Sequence, residues 1–208
     1  MVITETCPIK PEGKKPLELV DLPVPAPAPD QVLIKISTCG VCHTEIDEIE
    51  GRLIPPEFPI VPGHEIIGRV HAVGSNAKHY KPGDRVGVAW IHSSCGRCPF
   101  CKRGHENLCD DFRATGLHAH GGYAEYTFVS EAFAYSIPEL DYANELWHER
   151  EIKSVANVAR QDALEFLPLA AQIGIKPEVQ EFPLEQANAA LLLLKQGRMN
   201  GAGVLRIA

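Results

Sequence analysis

Residues 31–37 read QVLIKIS, and residues 64–74 read HEIIGRVHAVG. In the first, Val32, Ile34 and Ile36 alternate with Gln31, Lys35 and Ser37. A period of two marks a half-buried strand, because successive side chains point to opposite faces of a sheet. HEIIGRVHAVG, DRVGVAW (84–90) and GYAEYTFVS (122–130) repeat the pattern, punctuated by PGH, KPGD and HGG. Short strands with frequent Gly and Pro turns predict a closed or partly closed β-barrel.

Working outward, DLPVPAPAPD (21–30) places prolines at alternate positions, which forces a stiff, extended connector into the first long strand. Beyond residue 140 the texture changes. DALEFLPLAAQIG (162–174) carries Asp162 and Glu165 at capping-box spacing and Leu164, Leu167 and Ala171 at helical spacing. Pro168 is expected to kink that helix. PLEQANAALLLLKQG (183–197) predicts a second helix closed by Gly197, and GAGVLRIA (201–208) a final strand. The expected class is mainly β with α: a barrel over 1–140 followed by C-terminal helices over 141–208, as one domain or as one domain with a small appendage.

With 208 residues, 45% apolar and 23% charged, the chain has the composition of a globular protein with a real core. A net charge of −7 disfavours nucleic acid and anionic membrane as partners. No apolar run approaches a membrane span, and the N-terminus shows no signal-peptide pattern, so the expected location is cytoplasmic.

The seven cysteines are Cys7, Cys39, Cys42, Cys95, Cys98, Cys101 and Cys109; an odd number argues for thiols or metal rather than a disulfide framework. CGRCPFCKRGHENLC spaces Cys95, Cys98, Cys101 and Cys109 at x2, x2 and x7. Four thiolates close a tetrahedron without an open position, as a structural zinc site does, and predict a metal-held lobe over about residues 91–112. An iron–sulfur cluster also takes four thiolates, though at other usual spacings, and a redox cysteine pair is a further reading. CGVCHTE (39–45) and PGHEIIGRV (62–70) place Cys42 and His64 beside Glu45 and Glu65: two metal ligands and two carboxylates to support or supplement them. Spacing alone does not make them a site.

Taken in order, GVCHTE, PGHEIIGRV, KPGDRVGV, CGRCPFCKRGHENLC and GGYAEY closely resemble the zinc-dependent alcohol dehydrogenases of the medium-chain family. The likeness runs from about residue 18 to 139 and resumes at LDYANELW (140–147). It implies a GroES-like barrel with 141–208 as the C-terminal part of the same domain, a structural zinc on the four-cysteine lobe, and a catalytic zinc on Cys42 and His64. It implies that Glu45 buttresses the histidine, Glu65 stands behind the metal, Thr44 takes the alcohol proton, Trp90 walls the alcohol pocket and His43 faces the cofactor pyrophosphate. Asp47 stands where many members carry a relay histidine. The implied substrate is a small alcohol or aldehyde, and the implied hydride acceptor is NAD(P).

That acceptor needs a doubly wound domain of roughly 120–150 residues. No G-x-G-x-x-G string occurs. FAYSIPELDYANELW (133–147) runs from a barrel-type segment straight into one resembling the far side of that domain, so the Rossmann domain is expected to be missing at about residues 136–141. The family's third catalytic ligand, a cysteine just inside it, goes too; Glu65, Glu45, a water or Cys39 remain to complete the shell. Subunit contacts run largely through the same domain, so a monomer or altered oligomer is expected, with Leu146 and Trp147 as candidates to cover the bared surface. Little or no turnover alone is the leading expectation. The alternatives are an active dehydrogenase using a separate nucleotide-binding partner, and a non-catalytic zinc-stabilised scaffold.

Overall fold

A computed structural model describes residues 1–24, 26–137 and 160–207. The short strands β1 (Val2–Ile3) and β2 (Leu17–Glu18) pair with each other. The fold is organised by β3 (Gln31–Val41), whose Val32, Ile34 and Ile36 are buried while Lys35 is exposed. Leu33, on the opposite face, is also buried, because the proline-rich connector passes over it with Val24, Ala26 and Pro27.

One edge of β3 pairs along its length with β4 (Ile66–Val73), with register shifts at Leu33/Ile34 and Ile36/Thr38. The other edge is shared. Gln31–Lys35 pairs β8 (Tyr126–Ser130), and Thr38–Val41 pairs β11 (Ala202–Arg206). Bulges bend a strand, and that bend lets one strand serve both partners. Beyond β4 come β5 (Arg85–Val88) and β9 (Ala134–Ser136), and beyond β11 lies β10 (Val179–Pro183), in parallel. Among the described residues β8, β9 and β10 each pair with one strand, so the sheet does not close into a complete barrel.

Two further strands, β6 (Ile91–Ser93) and β7 (Arg113–Ala114), form the neck of the cysteine lobe. Helix α1 (His43–Ile49) follows β3 at once and buries Glu45, Ile46, Glu48 and Ile49. Helix α2 (Arg160–Ile173) already includes Asp162, so that residue lies inside the helix, not at its cap. Its buried positions are Ala163 and Ala171, whereas Leu164, Phe166 and Leu169 are exposed. Of the residues at helical spacing, Ala171 is buried and Leu164 is exposed, and the helix runs through Pro168. Leu146 and Trp147 lie outside the described residues.

Helix α3 (Ala187–Lys195) buries Ala187, Ala190 and Leu191 and packs on α1. Gly197, at φ 64°, follows its end as expected. This C-terminal helix is tied to the start of the chain. The Asn188 side chain accepts from Leu17 N–H and donates to Leu17 O, both at 3.0 Å, and Lys195 Nζ donates to Ile9 O at 2.9 Å. No helix among the described residues is long and apolar enough to cross a membrane.

Candidate metal centres

In the lobe, two short 3-10 turns, Cys101–Arg103 and Glu106–Leu108, bring the fourth cysteine back to the first three, with Gly104 at φ 75° making the reversal. The Sγ atoms of Cys95, Cys98, Cys101 and Cys109 all lie within 4.8 Å of one another. Cys101 Sγ is 3.8 Å from Cys95 Sγ and 3.5 Å from Cys98 Sγ. Zinc–sulfur bonds of about 2.3 Å in a tetrahedron require sulfurs roughly 3.8 Å apart, so the residues present fit the ion. The Cys98 and Cys101 amides donate to Cys95 Sγ and Cys98 Sγ, each at 3.4 Å, as turns wrapped around thiolates do. The Arg97 and Cys98 amides pull the Cys95 thiol down to about 6.

The second centre forms where β3 runs into α1 and where the segment 61–65 runs into β4. Candidate ligand atoms of Cys42, His64 and Glu65 lie within 4.8 Å of one another. His64 Nδ1 lies 2.8 Å from Glu45 Oε1, and the ring also interacts with the Cys42 thiol. The second Glu45 oxygen accepts the Cys42 amide at 2.6 Å, and the Tyr123 hydroxyl approaches it at 3.5 Å. The His64 imidazole draws the Cys42 thiol down against the thiol's own desolvation, helped by Thr44, whose hydroxyl lies 3.6 Å from the sulfur. Burial would lower the His64 imidazole, but Cys42 and Glu45 raise it to about 10.

Glu65 is exposed as a residue, yet its carboxylate is crowded against Gly40, where a Cβ would lie 2.0 Å from Oε2. That desolvation pushes its acidity down. Trp90 meets the His64 ring edge-on at 4.9 Å and leans on Phe112 at 6.4 Å. His43 is exposed at the first position of α1. Asp47 is outside this ligand cluster: its carboxylate accepts from Arg52 Nε at 2.6 Å. Cys39 is fully buried under Tyr123 and Gly122, outside this ligand cluster, so the structure does not bring it to the site.

Two features went unread in the sequence. Glu48 is fully buried one turn beyond Glu45, neither oxygen has a hydrogen-bond partner among the described residues, and desolvation followed by the Glu45 charge raises it to about 9. Its signal was there: an i,i+3 pair of acids interleaved with Ile46 and Ile49 on a short helix. Phe112, packed on Trp90, had no signal beyond being aromatic beside the lobe.

The sequence matches the alcohol dehydrogenase GroES-like domain over residues 28–139, more than half of the chain. The chain belongs to the zinc-type alcohol dehydrogenase family. Its fold is accordingly the mainly β, GroES-like fold of the medium-chain dehydrogenases. A Mycobacterium tuberculosis protein described as a probable alcohol dehydrogenase is 46% identical over 128 residues, covering 59% of this chain and 37% of that protein. An alcohol dehydrogenase of Geobacillus stearothermophilus is 39% identical over 127 residues, covering 61% and 38%. This alcohol dehydrogenase-family chain thus spans less than two-fifths of the length of those relatives. The solved structure of a cobalt- and zinc-bound thermostable alcohol dehydrogenase from Pyrobaculum aerophilum superposes with a TM-score of 0.79 at 16% identity, covering 100% of both chains, which is a likeness of fold.

Proposed function

We propose that this chain is the zinc-binding catalytic domain of an alcohol dehydrogenase, with its NAD(P)-binding domain missing at about residues 136–141, and that alone it turns over little or no alcohol. The reading rests chiefly on the convergence of the Cys42, His64 and Glu65 ligand atoms within 4.8 Å. Cys42, His64 and Glu65 would hold the catalytic ion and leave one position open, while the four lobe cysteines would hold a structural one. On this reading the barrel and the C-terminal helices form one domain, consistent with β11 pairing β3 and with the Asn188–Leu17 and Lys195–Ile9 hydrogen bonds.

When bound, zinc supplies a Lewis acid that polarises an alcohol oxygen and makes its proton easier to remove. Thr44 would receive that proton at its hydroxyl oxygen while releasing its own to solvent water. Where many family members carry a relay histidine, Asp47 is occupied by Arg52, so the outward path lacks an imidazole. Glu45 fixes the His64 tautomer and orientation. Trp90 walls the apolar side of the alcohol, and His43, exposed at the start of α1, is the candidate for a dinucleotide phosphate. The carbinol hydride still needs an acceptor, which the family takes from NAD(P). Among the described residues the one parallel strand pair is β10–β11, whereas a dinucleotide domain needs two βαβαβ halves.

The exposed Phe166 and Leu169, on one side of α2, favour a second reading, in which a separate nucleotide-binding partner covers that side and restores activity. Calorimetric titration of the zinc-loaded chain with NAD and NADP, with alcohol oxidation followed in parallel, tests both. No saturable dinucleotide binding and no turnover is the expected result. Micromolar binding by the purified chain alone overturns the proposal, and turnover that appears only with an added nucleotide-binding subunit selects the second reading.

A further inference from the structure

The loop from Ala114 to Gly122 is stitched to both walls of the candidate catalytic centre. Thr115 donates its amide to Trp90 O and its hydroxyl to Ala89 O, each at 2.9 Å. On the other side Gly121 N–H donates to Val61 O at 2.7 Å, Gly122 N–H to Gly63 O at 2.9 Å and Tyr123 N–H to Pro62 O at 3.0 Å. Val61–Gly63 runs directly into His64. The loop therefore sets the backbone of a candidate ligand and of the aromatic wall together.

Two imidazoles close this loop. His118 Nδ1 accepts the Ala114 amide at 2.9 Å, and His120 Nδ1 accepts the Val61 amide at 3.1 Å. A ring nitrogen that accepts a hydrogen bond carries no proton, so each ring is the neutral tautomer with its proton on Nε2. Protonating Nδ1 would set one N–H against another across the same contact.

We propose that His118 and His120 are positioning residues, neutral-imidazole clasps that release in acid: His118 folds the loop back on its own first residue, Ala114, next to the Thr115 bonds to Ala89 and Trp90, and His120 holds the loop onto the Val61–His64 segment. The neighbours favour the neutral rings. Burial pushes His118 below the ordinary histidine value, and Arg113, whose guanidinium donates to His118 O at 2.9 Å, adds repulsion. Burial does the same for His120, whose carbonyl takes the Thr127 hydroxyl at 3.1 Å. A base held neutral in the closed loop stabilises it fully above the ordinary value near 6.5, and the stabilisation is lost as pH falls below that value through the lowered ones. The inference rests on the loop and its hydrogen bonds, independently of whether the centre oxidises alcohols.

Amide hydrogen exchange of the zinc-loaded chain between pH 7 and pH 5, corrected for intrinsic exchange rates and with metal content measured on the same samples, tests it. Protection of the Val61 and Ala114 amides should fall by up to about tenfold per pH unit below 6.5, while the core amide of Val70 holds. In a double variant, His118→Asn with His120→Asn, an oxygen replaces Nδ1 as an acceptor that does not titrate, and protection should persist at pH 5. Unchanged wild-type protection down to pH 5, or equal loss in the double variant, overturns the proposal. So does an imidazole nitrogen spectrum of the wild type showing protonated Nδ1 on either ring at pH 7, a readout that needs no variant.

Discussion

Glu45 holds His64 with one oxygen, at 2.8 Å from Nδ1, and takes the Cys42 amide with the other, at 2.6 Å. One carboxylate thus starts helix α1 and orients the imidazole, so the turn that presents Cys42 and the ring that faces it are set by the same group. The capping-box spacing of Cys42 and Glu45 makes this geometry local, and only His64 has to arrive from a distant segment.

Replacing Glu45 with Gln keeps the shape and removes the charge. Zinc affinity at the second centre should drop by about 10–100-fold, the usual cost of losing a carboxylate behind a ligating histidine, while the lobe zinc is unaffected. Chelator competition, which separates a tight from a weak ion, reads both.

Removing the lobe ion should cost far more. Structural zinc contributes roughly 10–16 kcal/mol in small zinc domains, and the lobe exposes Phe100 and Leu108 instead of burying a core. Cys101→Ser should lower the zinc count by one and free the lobe amides to exchange, while β3 and β4 stay protected. Exchange mapped by mass spectrometry checks it.

Glu48 is expected to destabilise the domain. Its folded value of about 9 lies above the ordinary 4.5, so the fold keeps the proton that the unfolded chain releases. Folding is then penalised progressively as pH rises from 4.5 toward 9, by at most ~1.4 kcal/mol per pH unit. Glu48→Gln should raise the melting temperature little near pH 5 and clearly at pH 8. A gain that shrinks with rising pH would refute this.

The opposite sign holds at Glu50, which ties α1 to α3 through Lys195. Burial raises its acidity constant's pKa, but Lys195, Arg52 and the Ile9 amide together bring it down to about 2. The stabilisation is present above the ordinary value near 4.5 and disappears as pH falls through 2. With Lys195 partly exposed, the pair is worth on the order of 1 kcal/mol, so in denaturant titrations Lys195→Met should cost more at pH 7 than at pH 2 by about that much, the bond from Lys195 to Ile9 O being lost at both.

Much of this was legible in the sequence because it is local. The x2, x2, x7 cysteines, the period-two strands and Gly197 after α3 each signal within a few residues. What escaped depends on which distant segments meet. Nothing in DALEFLPLAAQIG says that Ala163, and not Leu164, is buried. Cys39 looks as near to the metal as any sequence neighbour of Cys42, until strand alternation and the turn after Val41 send it into the core. The clasp of His120 becomes visible only once Val61, 59 residues away, lies beside it.

The second centre is the claim on which the catalytic reading depends, and counting zinc per chain tests it most directly. By atomic emission on dialysed protein, the wild type should carry about two ions and Cys42→Ser about one, with the lobe ion retained. An equal count near one in both proteins would contradict the account.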